Sequence, residues 1–107
     1  MRANVERLTI DVGAIVQHFK RKEWAENASN EEAMKEPYMF LYKIEGVAYD
    51  ATNSHSGEIM IVYRALYGQG TLYTRSIKEF LQKVDEEKYG QGFRFVRYEG
   101  NITLPEF

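Results

Sequence analysis

Residues 58–75, EIMIVYRALYGQGTLYTR, constrain the fold more than any other stretch of the chain. Residues 58–67 are β-branched and aromatic, and strand alternation puts Ile59, Ile61, Tyr63 and Ala65 on one face and Met60, Val62 and Leu66 on the other. Apolar residues on both faces are the signature of a central strand covered on both sides. Gly68-Gln69-Gly70 makes a tight turn, and the chain returns as residues 71–75, with Thr71, Tyr73 and Arg75 alternating against Leu72 and Thr74. A chain built around such a hairpin needs further strands beside it and a second layer over it.

The remaining segments supply both. Residues 14–19 (AIVQHF) read as a first strand, and residues 38–49 (YMFLYKIEGVAY) as a second, with Phe40, Tyr42 and Ile44 on one face and Lys43 and Glu45 on the other. Gly46 marks a bulge or sharp bend, and residues 50–57 (DATNSHSG) form a hairpin loop of turn-forming residues. Ser76 caps a short helix over residues 76–84, with Ile77, Phe80, Leu81 and Val84 at helical spacing, and residues 93–98 close the order as a strand. Residues 1–12 form an N-terminal arm. Residues 20–37 form a charged loop carrying about two helical turns, with capping-box spacing between Ser29 and Glu32 and a stop at Pro37. The expected fold is mostly β with one or two short helices: a five-stranded SH3-like small barrel, or else a strongly bent antiparallel sheet. At 107 residues the chain is a single domain, able to bury about two thirds of its unfolded surface.

Charge and composition narrow the function. A net charge of -2 lacks the basic excess of a generic nucleic-acid binder. The absence of Cys removes thiolate chemistry and Cys-ligated metal, and suits a reducing, cytoplasmic setting. No apolar run approaches a membrane span, so no membrane partner is expected. His18 and His55 stand in no metal-ligand spacing, and no phosphate-binding loop is present, so neither a metal nor another cofactor is expected.

Three segments together carry a family resemblance: Gly13 with His18-Phe19-Lys20; Glu58 with residues 62–68 (VYRALYG); and Leu72-Tyr73-Thr74-Arg75 followed by Phe80. Over residues 13–98 the chain resembles the bacterial family called domain of unknown function 1653. That resemblance implies a small, mostly β domain and no assigned activity. The chain departs from the family pattern in the insertion over residues 21–37, in the late position of His55-Ser56, and in having Tyr73 and Ser76 where Trp and Pro are common.

The aromatic residues, 14% of the chain, divide by periodicity. Phe19, Phe40, Phe80, Phe93 and Phe95 fall where a core is expected, whereas tyrosines concentrate on the hairpin. The candidate ligand-binding residues are Tyr63, Tyr67, Tyr73 and Arg75, with His18 and Trp24 at the margin. Tyrosine rings beside a guanidinium can stack a planar group, grip a proline-rich peptide, or hold an anion. The expected function is a non-catalytic binding module for a protein, a peptide or a small anionic ligand. Single-stranded nucleic-acid or nucleotide recognition by the same rings is the alternative, and a small enzyme using His18 with a carboxylate is a third reading. Exposed strand aromatics can also pair with a second copy, as a homodimer.

Overall fold

The computed structural model describes residues 11–52 and 57–105. Most of the N-terminal arm, and His55 with its loop neighbours, lie outside the described residues. Five strands, β1 (Ile15–His18), β2 (Leu41–Tyr49), β3 (Ile59–Ala65), β4 (Leu72–Ser76) and β5 (Phe95–Arg97), form one antiparallel sheet in the order β4-β3-β2-β1-β5. The register shifts between Ile44 and Gly46, where β2 bulges against β3, as the glycine predicts. Beyond the bulge, Val47 and Tyr49 are exposed.

The sheet does not close into a barrel, so the bent-sheet alternative is the fold. Closure would require β4 and β5, the two edges, to pair. A stack of rings joins their ends instead. β4 runs directly into helix α3 (Ile77–Phe80), and Phe80, fully buried, lies flat on Phe95 of β5 with ring centroids 4.2 Å apart and planes 9° apart. Val16, Ile44, Ile61, Tyr63 and Ala65 complete the core under this lid. The helix anticipated over residues 76–84 stops at Phe80 because the following backbone is used elsewhere: Lys83 bridges Phe93, the Val84 amide donates to the Gly92 carbonyl, and Gln82 accepts from the Arg94 amide.

The charged segment is more helical than its residues suggest. It holds α1 (Lys20–Asn27) and α2 (Asn30–Lys35), neither with a buried residue. Strong helix formers in KRKEWAEN favour α1 without an apolar stripe to announce it. Arg21 ties it down, donating from Nη1 to the Met39 carbonyl and from Nη2 to that of Pro37. The Ser29–Glu32 capping box opens α2, each residue's side chain accepting from the other's amide. A fourth short helix, α4 (Glu86–Tyr89), precedes β5 and is capped by Asp85. Among the described residues, no helix is long and apolar enough to cross a membrane.

Candidate functional site

Residues directly opposite in an antiparallel ladder share a face. Val16 opposes Tyr42, Tyr42 opposes Ala65, Ile44 opposes Tyr63, Tyr63 opposes Tyr73, and Ile61 opposes Arg75. Tyr42, Tyr63, Tyr73 and Arg75 are therefore brought to the core face of the sheet by register alone. Arg64 opposes Lys43 and pairs with Glu45 at 3.1 Å on the other face, as alternation predicts.

The rings form a continuous cluster. Tyr63 and Tyr73 stack at 5.7 Å; Tyr42 meets Tyr63 at 5.3 Å and Tyr67 at 5.6 Å, both edge-on; Phe40 touches Tyr67 at 5.9 Å. The Tyr42 and Tyr67 hydroxyls are 2.7 Å apart, and Arg75 Nε donates to the Tyr63 hydroxyl at 3.2 Å. Burial and the neighbouring Tyr67 hydroxyl hold the Tyr42 phenol in its protonated form, and burial also raises Tyr67.

This arrangement sorts the predicted residues into a floor and a surface. Tyr63 is 4% exposed and His18 is buried, so their rings form the floor. Tyr73 is 42% exposed, while Tyr67 and Arg75 are half-buried, and these three present the surface. The division into phenylalanine core and tyrosine surface is corrected accordingly. Tyr42 and Tyr63 are buried, whereas Phe19, Phe40 and Phe93 are only partly so. Alternation had already put Tyr42 on this face; its hydroxyl pairing with Tyr67 has no sequence signal.

His18 is held among rings: Phe19 at 4.4 Å, Phe95 at 5.1 Å, Phe40 at 5.9 Å and Tyr42 at 6.5 Å. Its Nδ1 accepts from the Lys20 amide at 3.1 Å, which places the neutral ring's proton on Nε2. Burial foremost, then the charges of Arg94, Lys20 and Arg75, lower its pKa from 6.5 to about 4. The ring thus stays neutral near pH 7. Asp50 and Glu58 line a groove with Thr74, Arg75 and Glu79.

Trp24 does not join the tyrosines. It lines a separate groove of about 380 Å³ with Lys20, Glu23, Asn27, Ala28, Glu32 and Phe40. Phe40 borders both regions, with its backbone at φ 62, in the left-handed region.

Two residues matter here that no motif singled out. Glu36 accepts from the Gly68 amide at 3.3 Å and sits close enough to raise the Tyr67 phenol. Gln91, buried, donates to the carbonyls of Phe93 at 2.8 Å and Gln17 at 3.2 Å, and its side-chain oxygen accepts from the Gln17 amide group at 3.0 Å. It fixes the turn before β5 to β1.

Residues 14–97 match the family described as Protein of unknown function (DUF1653), and the chain belongs to that family. Comparison with curated proteins and with solved structures finds no significant match.

Proposed function

We propose that the protein is a non-catalytic binding module whose Tyr67–Tyr73–Arg75 face takes an extended peptide segment. The observation that carries this reading is the exposed Tyr73 ring between half-buried Tyr67 and Arg75, on a rigid floor of Tyr42 and Tyr63. From Ile61, opposite Arg75, to Ala65 at the end of β3 is four residues, about 13 Å at roughly 3.3 Å per residue, and Tyr67 lies just past that end, so the track suits a short extended segment. Ring faces spaced along such a track suit proline or aromatic side chains.

The charges support peptide over nucleic acid. Arg75 lies 3.9 Å from Glu79, and Glu36 stands beside Tyr67 at the other end. Carboxylates at both ends repel a phosphate backbone, while a guanidinium already shared with a carboxylate is suited to donate to a peptide carbonyl. Selection of a displayed random-peptide library on the intact chain tests the reading. Enriched peptides rich in proline or aromatics, with affinity nearly flat between 50 and 300 mM salt (roughly a two-fold change or less), support it. An oligothymidine complex that weakens steeply over the same range would establish the nucleic-acid alternative instead.

A further inference from the structure

The outer side of β4 carries an unfinished ladder. The Thr71 carbonyl accepts from the Ala65 amide at 3.0 Å, so the hydrogen-bonding groups of Thr71, Tyr73 and Arg75 point inward to β3. Those of Leu72 and Thr74, and the Ser76 amide, therefore point outward, where β4 ends the sheet and no described strand lies beyond. The other edge is short and is approached by residues 82–84. On β4 the side chains do not blunt the edge: Leu72 is 49% and Tyr73 42% exposed, and Arg75 is the sole charge in the strand.

We infer that β4 pairs antiparallel with β4 of a second copy of this chain, about a two-fold axis at Thr74, joining the two sheets into one. This goes beyond the peptide-binding reading and does not depend on it. A two-fold antiparallel pairing sets outward residues against outward residues wherever its axis crosses a residue of the strand, so the side chains select the register. An axis at Arg75 opposes two guanidinium groups. An axis at Tyr73 leaves Arg75 opposite Thr71. An axis at Thr74, the midpoint of the strand, engages all of Leu72–Ser76 and sets Tyr73 opposite Arg75 of the partner subunit, twice by symmetry. That pair falls at a non-hydrogen-bonded position, where opposing side chains approach most closely, and a guanidinium over a tyrosine ring is attractive. Thr74 exchanges amide and carbonyl bonds with Thr74 of the partner subunit, and the Ser76 amide donates to the Leu72 carbonyl of the partner subunit.

The axis makes a sharp test possible, because Thr74 faces its own copy. Thr74 opposes Val62, on the sheet face away from the aromatic track, and is exposed, so a charge there is compatible with the folded monomer. Sedimentation equilibrium of the intact chain at tens of micromolar is expected to give twice the 12.5 kDa chain mass. Thr74→Lys and Thr74→Glu alone each set like charges face to face and are expected to weaken the dimer at least about tenfold. An equimolar mixture of the two restores it. A wild-type chain that stays monomeric into the millimolar range, a dimer indifferent to both substitutions, or a mixture no tighter than either variant alone overturns the inference. Peptide binding retained by monomeric Thr74→Lys separates this outcome from the fate of the aromatic track.

Discussion

The Tyr42 and Tyr67 hydroxyls, on the second strand and just past the third, meet at 2.7 Å and lock a buried ring to a half-exposed one. Tyr42 is the pivot of the cluster, touching Tyr63, Tyr67 and Tyr73 at once. Tyr42→Phe keeps the ring contacts and removes the bond, so a loss of about 1 kcal/mol in chemical denaturation is expected, with a rise in Tyr67 mobility seen by NMR relaxation. A variant as stable and as rigid at Tyr67 as the wild type would show that the hydroxyl pair does not organise the track.

His18 makes stability pH-dependent in a definite direction. Its pKa is 6.5 in the unfolded chain and about 4 in the folded one, so between these values the unfolded chain holds a proton that the native ring refuses. The contribution is therefore complete above pH 6.5, is lost as pH falls towards 4, and changes no further below it. Protonation also breaks the bond from the Lys20 amide and sets a cation near Arg94 and Arg75. Urea denaturation across this window should show a slope in the wild type of at most about 1.4 kcal/mol per pH unit, the value for one proton, that His18→Phe lacks. Equal slopes in the two proteins would remove His18 from the account.

Much of the fold was legible because its signals are local. Alternation in residues 58–75 gave the central hairpin, Gly46 gave the bulge, and Ser29 with Glu32 gave the cap of the second helix. What escaped depends on distant parts of the chain. Between the two edges of the open sheet Phe80 stacks on Phe95, fifteen residues away, a contact that periodicity marks only as two core positions. The first helix has no buried face and so no moment to detect. Tyr63 and Tyr73 alternate alike along their strands, yet one is buried and the other is not. The difference comes from strand order, since β3 is flanked by β2 and β4 while β4 has an open side.

Phe40 holds a left-handed backbone, φ 62, at the border of the Trp24 groove and the tyrosine cluster. At an ordinary position Gly is less stable than Ala. Here the order should reverse, with Phe40→Gly more stable than Phe40→Ala by about 1 kcal/mol, both falling below the wild type through loss of ring contacts with His18 and Tyr67. Thermal melts of the two variants settle the order, and Ala above Gly would show that this backbone conformation is not held in solution.

The central claim, that Tyr67, Tyr73 and Arg75 form a peptide-binding face, is tested most directly by titrating a library-selected peptide into the wild type, Tyr73→Ala and Arg75→Gln, with Met34→Ala on the exposed surface of the second helix as control. Tyr73→Ala is expected to weaken binding at least about tenfold and Arg75→Gln by several-fold, with Met34→Ala unchanged, as befits loss of a stacked ring and of one charged hydrogen bond. Selected peptides that bind Tyr73→Ala and Arg75→Gln as tightly as the wild type would contradict the account.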